Sequence, residues 1–303
     1  MVQWAGADRL RPHVKTHKLP QIVQMNLEAG ITKFKTSTIA ESEMAAAAGA
    51  RDVLLAYQPV GPNIDRLLIL QKTFPSTTFS TILDDVEIAK QVSEAAQRSG
   101  MIVHAFVDLN VGMDRTGIVP GAGAAELYRF ISSARGLHAA GLHAYEGHIH
   151  DTDEALVRDQ AVRAFSPVWQ LKHDLESEGQ VVPKVVGCGT PTSKIMAAQY
   201  DMEVSAGTSV LWDAGQPTFS PPLESQPAAV LMARVISRPT ENAICIDLGH
   251  KAVAAEMPPP RVRFFGLEDA TTVMQNEEHL VLKTGCANHY PIGTVLYGVP
   301  THI

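Results

Sequence analysis

The sequence predicts a (β/α)8 TIM barrel followed by a smaller C-terminal β domain, on three observations. Eight short β-rich runs alternate with helical stretches over roughly the first two-thirds of the chain. No GxGxxG motif follows the first run, which sets aside an open doubly wound sheet. From residue 228 onward, short β-type runs follow one another without a convincing helix between them. Pro217, Pro221, Pro222 and Pro227 crowd the intervening stretch. The expected division is a barrel over 1–213, a Pro-rich linker over 214–227 and a β domain over 228–303.

In chain order, the barrel strands are expected at 10–15, 31–36, 52–58, 77–83, 102–109, 138–145, 183–188 and 202–206. They are rich in Val, Ile, Thr and Phe, and several are continuous apolar runs, as in buried parallel strands. Helices are expected at 22–29, 38–48, 63–74, 84–98, 123–134, 155–178 and 193–199, the sixth interrupted at Pro167. Ser37 is placed to cap the second, and Asp84 or Asp85 the fourth. Gly30, Gly49, Gly100, Gly136 and Gly179 sit where helices should stop. In the β domain the strand runs are 229–237, 243–247, 261–265, 279–283 and 293–299.

A chain of 303 residues with 45% hydrophobic and 19% charged residues suits a soluble protein with a sizeable core. Its formal net charge of −7 argues against general nucleic-acid or anionic-membrane binding. No apolar run approaches the ~20 residues of a membrane span, and the N-terminal residues do not form a signal peptide. Cys188, Cys245 and Cys286 have no metal-type spacing, so a reduced, cytoplasmic setting is expected.

Against this acidic background the octapeptide RPHVKTHK at 11–18 stands out, because Arg11, His13, Lys15, His17 and Lys18 can all be cationic. Lysines set in a strand are costly unless something uses them. One use is anion binding. Another is a lysine whose pKa is lowered by burial and cationic neighbours, so that it can form a Schiff base. A basic loop without a role is the plain alternative.

Barrel active sites lie at the C-terminal strand ends. That rule gathers Lys15, Thr16 and His17 with Lys35, Thr36, Gln58, Asn110 and the loop GMDRTG at 112–117. It adds Tyr145, Gly147, His148 and His150, the run GCGTPTS at 187–193, and Gly207, Thr208 and Ser209. Glycines and hydroxyls at the seventh and eighth strand ends suit a phosphate, although Gly-Thr-Pro-Thr also reads as a turn before a helix cap. A lysine, a phosphate cup, an arginine and an aromatic together are what pyridoxal 5'-phosphate needs.

RPHVKTHK at 11–18, GMDRTG at 112–117, GCGTPT at 187–192 and VPTH at 299–302 resemble the D-threonine aldolase/D-serine dehydratase family, in order along almost the whole chain. RPHVKTHK is the most specific of these. The family comprises metal-activated pyridoxal phosphate enzymes of the alanine-racemase-type fold, a barrel followed by a β domain. The resemblance implies that Lys15 forms the Schiff base, Arg115 donates to the cofactor's phenolic oxygen and Tyr145 lies beside the pyridine ring. It also implies that Gly189, Thr190, Gly207 and Thr208 hold the phosphate. His302 would bind a divalent metal (Mn, Mg or Zn), its companion ligand falling at position 304. Both ends are then expected to extend beyond this chain. Position also favours Lys15 over Lys18, which adjoins Leu19-Pro20 and leaves the barrel mouth. Arg11, His13 and His17 are expected to flank or tune the cofactor.

The resulting expectation is a cytoplasmic lyase acting on small D-3-hydroxy amino acids, by retro-aldol cleavage of D-threonine-type substrates to glycine and an aldehyde. Dehydration of D-serine or 3-hydroxyaspartate is the close rival. An amino-acid racemase and a non-catalytic pyridoxal phosphate carrier are further alternatives. The fold implies a homodimer whose β domain closes a partner's barrel mouth. Among smaller candidates, His143, His148 and His150 alternate along strand six on the face of Tyr145. His148 and His150 are therefore candidates for substrate contact, and Cys188 is expected only to pack. The segments 247–251 and 277–279 read as turns, each with a lesser prospect of a site role.

Overall fold

The computed structural model describes residues 1–218 and 225–303. Pro221 and Pro222 of the expected linker lie outside the described residues. The chain divides into two compact units, Met1–Gly207 and Thr208–Ile303.

In the first unit, seven parallel strands pair in sequential order: β1 Lys33–Thr36, β2 Asp52–Leu55, β3 Thr78–Leu83, β4 Val103–Leu109, β5 Leu137–Ala144, β6 Val185–Gly187 and β7 Glu203–Val204. The run expected as strand one is reduced to single bridges, Leu10 to Val204 and His13 to Lys35. Arg11 N–H donates to Val204 O and Lys35 N–H to Pro12 O, both at 3.0 Å, so this segment joins the last strand to the first. It goes no further as a strand for two reasons. Pro12 has no N–H to give a ladder, and His13 Nδ1 accepts the Lys15 N–H, winding Val14–Thr16 into a 3-10 turn.

The helices cover the outer face and bury Val23, Leu67, Val92, Tyr128, Ile131 and Phe165 against the sheet. Each fully buried side chain of this size contributes roughly 1.5–3 kcal/mol. Thr38, rather than Ser37, caps the helix Ile39–Ala47 by accepting from Glu41 N–H, while Glu41 reaches back to Ser37 N–H in a capping box. Asp85 caps Val86–Arg98. The expected break at Pro167 is absent, and Glu154–Ser177 is one helix. Its buried row Val157, Ala161, Phe165, Val168, Leu171 and Leu175 offsets the ~3 kcal/mol that an internal proline costs.

Leu54, Ile82, Phe106 and Val186 form a separate apolar layer on the inward face of the strands. By the period-two alternation of a strand, polar residues flank this layer above and below. Among the described residues of the second unit, six antiparallel strands run β10-β13-β8-β9-β12-β11. They are β8 Leu231–Thr240, β9 Ala243–Ile246, β10 Val262–Phe264, β11 Thr271–Gln275, β12 Leu280–Lys283 and β13 Val295–Pro300. The edge strand β11 is additional to expectation, since TTVMQ is mostly exposed and has little apolar alternation. No helix among the described residues is long and apolar enough to cross a membrane.

Candidate active site

The octapeptide is split between the two ends of the barrel. Arg11, expected beside the cofactor, lies at the opposite end, fully buried. Its guanidinium forks onto Asp52 at 2.7 and 3.0 Å and reaches Glu203 at 2.7 Å, while Lys33 pairs with Glu203 at 2.6 Å. Burial alone would lower the Arg11 pKa, but the two carboxylates outweigh it and raise it. Burial likewise pushes Asp52 and Glu203 up, and Arg11 overcomes this to hold both low. Arg11 is thus a structural member of a paired network. Between it and Lys15 the chain passes the bridge of His13 to Lys35, which separates the two side chains along the barrel.

At the other end, three cations converge on one ring. Lys15 Nζ lies 5.9 Å, Lys35 Nζ 5.5 Å and Arg115 Cζ 5.1 Å from the Tyr145 ring centroid. Lys15 stands on the 3-10 turn and is exposed, whereas Lys35 ends β1 and is 4% exposed. Partial enclosure and then Arg115 lower the Lys15 pKa, with Glu41 opposing. Lys35 is lowered to about 8, mainly by burial, against the pull of Asp108 and Glu146. Gly147 lets Tyr145 take its position, because a Cβ there would overlap the ring.

Beneath lie buried groups that no motif announced. His143 Nδ1 and Asp108 Oδ1 are 2.6 Å apart, and Thr116 donates to Asp108 Oδ2 at 3.0 Å. Burial would raise Asp108, but these bonds hold it low; His143 is lowered by burial and by Lys35. His143 is therefore neutral, its proton on Nδ1, and Nε2 is a buried acceptor with no hydrogen-bond donor. His13 is kept well below its ordinary value by burial, then Lys35 and Lys15. Glu146 accepts from Gly189 N–H at 3.0 Å and from the Thr192 hydroxyl, leaving its Oε2 buried without a partner. The signal available for Lys35 was the alternating pair in KFKT, two lysines on one face of a strand. Glu146 had only its place beside Tyr145.

The remaining expected residues fall as follows. Gly189 gives its N–H to Glu146 and leaves open space before Tyr145, where a Cβ would stand 3.5 Å from the ring. Thr190 is buried, and Gly207 packs against His13 and Thr16. Thr208 heads the 3-10 turn Thr208–Val210 in the second unit. His148 and His150 lie beyond the end of β5 and are exposed, so the strand face they were expected to share with Tyr145 is not continued. His17 Nδ1 accepts from Leu19 N–H, and Lys18 pairs with Glu41 at 3.3 Å outside the cluster. Cys188 is buried, its Sγ 3.9 Å from Met202 Sδ. Lys251 pairs with exposed Glu277 and Glu278. His302 Nδ1 is 3.6 Å from Oδ2 of the fully buried Asp213, a partner that sequence reasoning missed.

The sequence matches the alanine racemase N-terminal domain over residues 1–213 and a putative serine dehydratase domain over 228–303. It is 30% identical to a D-threonine aldolase of an Arthrobacter species, covering 99% of this chain and 80% of that one. The chain belongs to the D-threonine aldolase/D-serine dehydratase family. Another family member, the D-threo-3-hydroxyaspartate dehydratase of a Delftia species, is 26% identical over 97% of this chain and 83% of its own. The crystal structure of D-threonine aldolase from Filomicrobium marinum superposes with a TM-score of 0.90 at 26% identity, covering 100% of this chain and 82% of that one. These family relatives include both aldolases and a dehydratase, and the alanine-racemase-type architecture is shared.

Proposed function

We propose that the protein is a pyridoxal phosphate-dependent lyase acting on D-3-hydroxy amino acids, cleaving Cα–Cβ of D-threonine-type substrates to glycine and an aldehyde. The observation that carries this reading is the convergence of Lys15, Lys35 and Arg115 on Tyr145 in a member of this family.

The residues present fit the cofactor: an amine, a flat ring, a guanidinium and a glycine-opened loop, with orphaned buried acceptors on His143 and Glu146. When bound, the cofactor supplies an electron sink for a bond broken at the amino acid's Cα. Lys15 is the amine that binds its aldehyde, at a pKa already lowered toward working pH. Tyr145 would support the ring and Arg115 would donate to its phenolic oxygen. Thr190, Gly207 and Thr208 would hold the phosphate, and Gly189 would contribute by having no side chain. His148 and His150 would contact substrate from the loop after β5 rather than from the strand.

A divalent metal (Mn, Mg or Zn) is a weaker fit, since no group of three His, Cys, Asp or Glu among the described residues could hold one. His302 would supply one donor, with Asp213 against its other ring nitrogen, as is usual for metal-ligating histidines. Asp213→Asn should then weaken metal affinity about 10–100-fold, measured by metal titration with a chelator.

Dehydration to a keto acid and ammonia is the second reading, favoured by the match of residues 228–303 to a serine dehydratase domain. The test is an assay with D-threonine, D-serine and D-3-hydroxyaspartate, with and without Mn2+ or Zn2+. Glycine plus aldehyde is expected. Keto acid plus ammonia selects the dehydratase, the L-enantiomer a racemase, and no turnover of any amino acid a carrier. We further infer a homodimer in a cytoplasmic setting, which light scattering tests for its first half.

A further inference from the structure

Lys35 is the buried group for which neither the paired network nor the family motifs account. It points inward on a strand whose inward neighbours include Leu54, and it reaches the same ring as Lys15. The carboxylates that draw on it are committed elsewhere: Asp108 to His143 and Thr116, Glu146 to Gly189 and Thr192. Lys35 enters none of the ion pairs found among the described residues. A buried ammonium without a contact counterion is costly, and packing alone would favour an apolar residue there.

We propose that Lys35 is a positioning residue for the Lys15 amine: its charge, added to that of Arg115 around Tyr145, disfavours protonation of Lys15 and keeps it nucleophilic near neutral pH. Lys15 is among the groups that lower Lys35; a Coulomb energy acts equally on both charges, so a charged Lys35 at the same ring disfavours a charged Lys15 in turn, after burial and Arg115, the larger influences on it. A lysine beside a second cation is an established way to activate the amine. The other groups facing the pair change little between pH 6 and 9. His13 and His143 are already neutral from burial and their cationic neighbours. Asp108 is already ionised, and burial holds the Tyr145 hydroxyl and Cys188 thiol protonated. Arg115, Glu41 and Glu146 complete the charged groups that face the pair. Lys35, at about 8, titrates in this window, so the effect has a distinctive pH dependence. It is present while Lys35 is charged, below about 8, and fades above.

The inference rests on Lys15 being the reacting amine, but its test does not need the cofactor. The full chain, stripped of cofactor with hydroxylamine, is labelled with trace acetic anhydride from pH 6 to 10. Lys15 is quantified by peptide mass spectrometry against exposed Lys72. Lys35→Met should lower Lys15 labelling at pH 7 about tenfold, the equivalent of one pKa unit, and leave it unchanged at pH 9.5. Lys35→Arg, permanently charged, should match wild type at pH 7 and exceed it at pH 9.5. Equal labelling of Lys35→Met and wild type at pH 7, or the same loss at both pH values, overturns the proposal. If near-UV circular dichroism shows Lys35→Met unfolded, the arginine variant decides, and no gain at pH 9.5 overturns it. Borohydride trapping of pyridoxal phosphate on a lysine other than Lys15 would instead overturn the proposed function and leave this coupling intact.

Discussion

The two ends of the barrel handle charge in opposite ways. At the N-terminal strand ends, Arg11, Lys33 and Lys184 meet Asp52 and Glu203 at distances of 2.6 to 3.8 Å, so each charge has a contact partner. At the C-terminal mouth, Lys15, Lys35 and Arg115 gather on a neutral ring, and the nearby carboxylates bond to neutral donors instead. The first arrangement shifts Arg11, Asp52 and Glu203 toward the charged form; the second shifts Lys15, Lys35, His13 and His143 toward the neutral form. A chain that stays folded needs the first. Nucleophiles and proton acceptors at neutral pH need the second.

The contrast can be broken most severely at the mouth. Lys15→Ala should lower lyase turnover on the order of 10³-fold or more, a loss at the scale of positioned acid–base groups, with the thermal midpoint nearly unchanged. A large drop in midpoint would mean that Lys15 is structural. Arg11→Met should do the reverse. Leaving Asp52 and Glu203 buried without their partner costs about 3–5 kcal/mol in denaturant unfolding, while Lys15 labelling in the folded fraction stays as in wild type.

The same network sets acid stability. Asp52 and Glu203 titrate lower when folded than their ordinary 3.8 and 4.5. Their contribution is therefore present above those values and lost as pH falls through the lowered ones. Melting curves from pH 6 to 2 should fall more steeply for wild type than for Arg11→Met.

Asp108→Asn sharpens the comparison from within the mouth. It removes a bonded buried carboxylate, for a loss of about 1–3 kcal/mol. It also removes the largest of the attractions on Lys35, so the Lys35 labelling midpoint should drop below about 8. An unchanged midpoint would separate Lys35 from the Asp108–His143 pair. Lys184→Met should matter least, about 0–1 kcal/mol, because this lysine is 38% exposed and its contacts are 3.6 and 3.8 Å.

The architecture was legible because the repeated alternation of strand and helix leaves a strong pattern, and RPHVKTHK marked the site. What escaped was which way each residue faces along the barrel axis. Arg11 and Lys15 sit in one motif, and nothing in the residues says that one serves the closed end and the other the mouth. The period-two pattern of KFKT places Lys33 and Lys35 on one face but cannot tell an inward face from an outward one. Glu146, Asp108 and Asp213 meet partners far along the chain, Glu146 at Gly189 and Thr192, Asp108 at His143 and Asp213 at His302. Such bonds have no local period to read. Pro167 was misjudged because tertiary burial of its helix outweighed a local rule.

The 3-10 turn that carries Lys15 is closed by an imidazole acting as acceptor, His13 Nδ1. Protonation of that ring would turn the acceptor into a donor and open the turn. An ordinary histidine would reach that point in mildly acidic surroundings. Here burial, and then the cations crowded around His13, push its protonation to much lower pH, so the enclosure and the charges that prepare the amine also insulate its backbone support from mild acid.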